Sequence, residues 1–268
     1  ISQENGPVPK LFNNSGHWLV QEYIAGDRLS SLVSTEKKDL CSDLVYKSIS
    51  SLIRLQEIAR NIHLGASVKP ICISTSWKEM EIKALESISD LTQISLPQLN
   101  RNEIINVLTV NPSSFVKWDA RPGNAILETE ERIVWIDWEH CGLRAGIDDL
   151  IWFLSDEWVG LEPHIELEII SEFIQYFNDK EVTVSPEKYL RVFGTTHMCG
   201  KLFQIIEHQK RIKKWKDRSF CLTFELMGVT LQESQGLAKK AARWAEQDKL
   251  TRPLVPWLES VSLWLAEQ

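Results

Sequence analysis

Apolar positions change their spacing twice along this chain. Between residues 8 and 24 they come in short dense runs, VPKLF and HWLVQEYI, separated by the turn-rich NNSG and stopped by AGD. Short apolar runs bounded by Gly, Asn and Asp predict a strand–turn–strand pair. From about Leu29 the period lengthens. Leu40, Leu44, Ile49, Leu52, Ile53, Leu55 and Ile58 fall on one face of a helix over 40–60. Met80, Ile82, Leu85, Ile88 and Leu91 mark a second helix over 78–94, and Pro97 precedes a third at about 100–109.

Across 113–138 the pattern becomes strand-like again, with two short strands joined by a charged turn. After Asp148 the helical period returns over 149–157, 163–178, 186–211, 216–247 and 252–266. Pro163, Pro186 and Pro253 stand near predicted helix starts, where a missing N–H is tolerated. The pattern therefore predicts a small strand-bearing N-terminal piece, a β-hairpin near the middle, and a mostly helical remainder.

Composition narrows the partners. The 268 residues allow one large domain or two small ones with a well-buried core. A net charge of −7 argues against a general affinity for nucleic acid or an anionic membrane surface. One stretch departs from that balance: HQKRIKKWKDR at 208–218 reads either as an anion-binding patch or as a solvated helix face. No apolar run reaches membrane-spanning length, and the first residues do not form a signal peptide. The five cysteines are far apart and form no C-x-x-C, which argues against a disulfide framework or a zinc site and for a reducing, cytoplasmic setting. The eleven tryptophans are scattered, as packing residues are.

The central hairpin carries the candidate chemistry. In D-A-R-P-G-N (119–124), Pro122 and Gly123 force a turn that is expected to bring the amide oxygen of Asn124 near the carboxylate of Asp119. AIL, the polar ETEER and the returning IVWID then deliver Asp137 close to Asn124. A carboxylate and an amide oxygen suit Mg²⁺, which keeps waters and takes further ligands from substrate phosphates. Asp119, outside that set, is placed to accept a proton from an alcohol. A catalytic-loop Asp, an Asn five residues on, and a metal-binding Asp after the next strand is the layout of phosphoryl transfer.

These residues resemble the aminoglycoside phosphotransferase and choline kinase-like family. IDWE (136–139) matches its metal motif, DDLIWFL (148–154) its core-helix segment, WLVQEYIAG (18–26) its hinge, and SLIRLQEI the segment where members carry L-H-x-L. The likeness covers about residues 7–160. It implies an α+β, protein kinase-like fold: a mostly helical C-lobe with a central catalytic β-hairpin and a remnant of the N-lobe sheet. Residues 1–25 would be the end of the N-lobe and the hinge, and 26–268 the C-lobe with catalytic loop and metal site.

The resemblance also implies roles. Asp119 would orient and deprotonate the acceptor hydroxyl, and Arg121 would stand where protein kinases place a phosphate-contacting Lys, with a solvent-exposed loop cation as the other reading. Asn124 and Asp137 would bind Mg²⁺. Glu22 and Ile24 would offer backbone groups to the adenine of ATP with Tyr23 beside it, and Ile126 and Ile136 would floor the base. Asp149 would brace the catalytic loop, with Asp148 as the alternative. Acceptors in the family are small hydroxylated molecules, often cationic. The segment 128–168 is rich in acid, Glu131 included. Glu139, Asp156 and Glu157 are its candidates for an acidic pocket wall, with solvated helix ends as the other reading for Asp156 and Glu157.

Two features depart from the family. Lys117-Trp118 replaces the His-Gly before the catalytic Asp, and a Trp there would narrow the acceptor pocket, stack on a substrate ring, or mark an altered loop. No Gly-rich loop or strand Lys precedes the hinge, and Lys10 lies too close to it to serve. ATP binding by these residues alone is therefore expected to be poor. Three readings follow: an ATP-dependent O-phosphotransferase acting on a small hydroxylated, cationic or neutral, molecule; a catalytically silent kinase-like binding or scaffold protein; or a non-kinase helical protein with an incidental hairpin.

Overall fold

The computed structural model describes residues 1–34, 38–130, 132–177, 179–224, 226 and 229–268. In chain order the strands and α-helices are β1 (Leu11–Asn14), β2 (Leu19–Gln21), β3 (Asp27–Arg28), α1 (Leu29–Val33), α2 (Lys38–Asn61), α3 (Thr75–Thr92) and α4 (Arg101–Val107). Then come β4 (Ser114–Val116), β5 (Ala125–Thr129), β6 (Arg132–Trp135), β7 (Gly142–Arg144), α5 (Ile147–Leu154) and α6 (Pro163–Phe173). The chain ends in α7 (Pro186–Ile212), α8 (Arg218–Thr223), α9 (Leu231–Glu246) and α10 (Val255–Ala266). The class is α+β, mostly helical with small sheets, as the apolar spacing predicts.

Two compact units divide the chain. The first comprises residues 1–71, 112–153 and 159–176. Its sheets are all antiparallel: β1 with β2, β3–β5–β6, and β4 with β7. Pairing of Ala125 with Trp135 and of Ile126 with Val134 sets the register of the central hairpin. Trp135 is fully buried, packs edge-on against Phe153, and donates its indole N–H to Ser51 on α2. On α2, Leu44, Ile49, Leu52 and Leu55 are buried as their spacing predicts, while Ile53 and Ile58 are half-buried; the side chain of Leu40 lies outside the described residues. The HWLVQEYI run does form a strand against the preceding one, but Trp18, Leu19, Val20 and Tyr23 are exposed.

The second unit comprises residues 72–111, 154–158 and 177–268. α7 is its axis. Its buried residues run from Tyr189 and Phe193 to Met198, Leu202 and Ile206 and lie on more than one face, while its last turn is exposed. A Cβ at Gly194 would lie 2.2 Å from the Trp244 ring, so only glycine lets α9 approach this closely.

The single helix expected over 216–247 is instead two, α8 and α9. Asp217 caps α8 by accepting from Phe220 N–H, and Thr230 caps α9 by accepting from Glu233 N–H. The T-x-x-E at 230–233 has the sequence of a capping box, and its threonine starts a new helix where apolar spacing alone runs through. Residues 225, 227 and 228 of that expected helix lie outside the described residues, as does Asn178 of the helix expected over 163–178. The latter helix ends at Phe173 and continues as a short 3-10 turn over Ile174–Tyr176.

Candidate active site

Three adjacent or facing residues of the first unit take backbone conformations that side chains disfavour. Trp118 has φ 52°, Asp119 φ 32° and Asp137 φ 58°. Left-handed non-glycine residues of this kind cost on the order of 1–3 kcal/mol each and persist only where surroundings fix them. The surroundings are specific. Asp149, near the start of α5, accepts the backbone N–H of Lys117 at 3.0 Å and of Trp118 at 2.9 Å, and takes a third bond from Gln56 Nε2 at 3.0 Å. Asp149, not Asp148, reaches the loop backbone; Asp148 is spent on a fully buried ion pair with Arg144 at 2.7 Å. Burial pushes the Asp149 carboxyl up to about 7, against the opposing pull of Gln56, the two backbone donors and the Lys117 charge.

The Trp118 side chain does not face an acceptor. It is buried, edge-on to Trp152 at 5.3 Å between ring centroids, with the Arg144 guanidinium 4.9 Å above its ring. The expectation that Trp118 narrows a pocket or stacks on a substrate ring is therefore corrected: the indole anchors the loop to α5.

Lys117 is fully buried and donates rather than accepts. Its ammonium donates to the backbone carbonyl of Asp137 at 2.8 Å and reaches that of Asp119 at 3.4 Å, with the Trp138 ring 5.3 Å away. One side chain thus ties the two left-handed aspartates together through their carbonyls. Burial lowers the Lys117 pKa, while Asp119, Asp149 and Asp137 pull it the other way.

Asn124 completes the loop. Its amide nitrogen donates to the Asp119 carboxylate at 2.7 Å and to the Asp119 carbonyl at 3.0 Å. The amide oxygen was expected to face that carboxylate; two acceptors would repel, so the nitrogen turns inward. The oxygen of Asn124 is then available to a cation, and Asp137, on the exposed turn after β6, supplies a carboxylate. A carboxylate and an amide oxygen fit a hard divalent ion that completes its shell with water and phosphate. Among the described residues, no group of three or more His, Cys, Asp and Glu gathers as a self-sufficient metal site.

Arg121 folds back over Gly123, where a Cβ would meet its guanidinium at 3.2–3.7 Å. Arg28 on β3 fixes the same turn by donating to the Gly123 carbonyl at 2.6 Å. Antiparallel pairing puts Ile126 opposite Val134, and the Ile136 N–H bonds the Asn124 carbonyl at 2.9 Å; Ile126, Val134 and Ile136 therefore share one face of the hairpin. At the N-terminal hairpin, Glu22 gives its N–H to the Lys10 carbonyl at 2.8 Å and accepts from Lys10 N–H at 3.0 Å. Tyr23 is exposed and Ile24 buried.

The acidic wall is the clearest misplacement. Asp156 and Glu157 belong to the second unit, and their side chains are fully buried. Lys201 holds them at 2.6 and 3.1 Å, so they neutralise a buried cation rather than line a solvent-open pocket or cap solvated helix ends. Glu139 is exposed, 3.3 Å from His140. Glu131 lies outside the described residues. Sequence reasoning overlooked Lys117 as a tether and Gln56 as a partner of Asp149; the first stood in plain view before Asp119, and nothing local marks the second.

Compared with solved structures, the chain is similar to choline kinase LicA from Streptococcus pneumoniae at 14% identity and a TM-score of 0.43, over 88% of this chain and 76% of that one. No family model matches the chain. No curated protein matches it.

Proposed function

We propose that the chain is an ATP-dependent O-phosphotransferase whose acceptor is a small hydroxylated molecule. One observation carries the reading: Asp119 and Asp137 are both left-handed, the Lys117 ammonium bridges their carbonyls, and Asn124 holds Asp119. A hairpin that used these aspartates only as turn residues would not need a buried ammonium bridging their carbonyls. Strain held in this way collects at functional sites.

In this reading Asp119 receives the acceptor's proton. Its carboxylate is aimed by the Asn124 amide, so the same asparagine orients the base and offers its oxygen to Mg²⁺ beside Asp137. The ion, when held there, supplies positive charge next to phosphate oxygens. Asp149 and Trp118 keep the loop from relaxing. Ile126 and Ile136 present an apolar face to the base of ATP. Because the Glu22 N–H is already bonded to Lys10, Glu22 contributes its carbonyl, with Ile24 and Tyr23 alongside. Arg121 attracts the phosphates from a turn that Gly123 leaves open. The case for a cationic acceptor now rests on Glu139 alone, since Lys201 takes Asp156 and Glu157.

The test measures Mg²⁺-dependent binding of ATP by calorimetry, then transfer to a panel of aminoglycosides, choline and sugars. Asp137→Ala is expected to abolish the Mg²⁺ dependence of ATP binding. Mg-ATP binding unchanged in that variant would contradict the metal assignment. Nucleotide binding with no transfer to any acceptor would favour the silent, kinase-like binding module instead.

A further inference from the structure

The 208–218 stretch carries six cations and one carboxylate, in a chain whose net charge is −7. Such a run by itself is ordinary, since basic residues suit the C-terminal turn of a helix such as α7. The structure adds two facts. A cavity of about 270 Å³ in the second unit is lined by His208, Arg211 and Lys216 together with Gln204, one carboxylate, Glu207, and apolar residues that include Val229. Arg211 approaches His208 Nδ1 at 3.2 Å, and a guanidinium can only donate. The proton of the neutral imidazole therefore sits on Nε2. That nitrogen is buried and has no hydrogen-bond partner.

We infer that this cavity is a binding site for the phosphoryl or carboxylate group of a small anionic molecule. An unmet N–H donor in a cavity flanked by an arginine and a lysine is a donor set for an oxyanion, which would accept from all three. Desolvation first, and then the charges of Lys216 and Arg211, hold His208 below its ordinary pKa. The size excludes a macromolecule as the cavity's occupant and falls near the lower end for small-ligand pockets. Val229 offers an apolar wall for the non-ionic part of the ligand. Of the other four cations, Lys210, Lys213 and Lys214 are exposed and would steer anions toward the cavity, while Arg218 pairs with Glu233.

The site is independent of the proposed transferase reading, and the experiment keeps the two apart. Inorganic phosphate and citrate are each titrated into the full chain without ATP or Mg²⁺, following the His208 ring resonances by NMR and the heat of binding. Saturable binding that shifts the His208 signals is expected, with phosphate stronger than citrate if the ligand group is phosphoryl and weaker if it is carboxylate. Arg211→Ala and Lys216→Ala should each weaken it about tenfold, the size of one lost charge-assisted hydrogen bond. His208→Phe, which keeps the ring volume, should weaken it with the fold intact by circular dichroism. Asp137→Ala should leave it unchanged. Equal affinity in wild type, Arg211→Ala and Lys216→Ala would overturn the inference and leave only non-specific attraction to a basic surface.

Discussion

Lys117, two residues before Asp119, works in the loop as a donor as well as by filling space. An ammonium has donors in several directions, and here it spans the carbonyls of Asp137 and Asp119 from a fully buried position. Lys117→Met keeps the bulk and removes the donors. If Asp137 is a metal ligand, Lys117 supports it from behind, and losing such a partner typically costs about 10–100-fold in metal affinity or activity. The expected outcome is weaker Mg²⁺-dependent ATP binding with a larger effect on kcat than on the KM of the acceptor; an unchanged kcat would remove Lys117 from the site. Asp149 permits a pH prediction of definite sign. Its folded pKa of about 7 lies above the ordinary carboxylate value near 4. Between those values the folded chain holds a proton the unfolded chain has lost, so stability falls as pH rises through the window. Urea midpoints of wild type from pH 4 to 7 should carry this downward contribution, and Asp149→Asn should lack it.

At the scale of elements, the helices of the second unit meet around charges as well as apolar surface. Lys201 on α7 neutralises Asp156 and Glu157, while Lys240 on α9 donates to the carbonyls of Leu154 and Asp156 at 2.9 and 3.0 Å. The 154–158 turn is thereby fixed to both helices. Removing one partner of such a set leaves uncompensated buried charge and costs about 3–5 kcal/mol. Lys201→Met should therefore lower the thermal midpoint steeply, whereas adding Glu157→Gln to it should recover part of the loss. A midpoint unchanged by Lys201→Met would mean the carboxylates are protonated or solvated when the lysine is gone. The split between α8 and α9 belongs to the same scale. Apolar spacing ran on through 216–247, but the capping residues Asp217 and Thr230 decide where helices begin.

Over the whole molecule, what was legible in the sequence is what local geometry dictates. Pro122-Gly123 forces the turn that brings Asn124 to Asp119, and the strand spacing after it sets the hairpin register. The helical periods of α2 and α7 follow from their own apolar positions, and so does that of α3 except at Met80, which is exposed. Contacts across long separations were not legible. Asp156 and Glu157 looked like pocket acids because Lys201 lies more than 40 residues away. Trp118 looked like a pocket residue because nothing near it announces Trp152 or Arg144 as its neighbours. The amide of Asn124 was expected the wrong way round, since only the finished loop shows which group needs a donor. No helix among the described residues is long and apolar enough to cross a membrane. The proposed transfer depends above all on Asp119. The decisive measurement compares wild type with Asp119→Ala for γ-phosphoryl transfer from ATP to a hydroxyl acceptor, at equal Mg-ATP occupancy. Loss of a positioned general base should slow transfer about 10²-fold or more while nucleotide binding holds. Transfer at the wild-type rate by Asp119→Ala would contradict it.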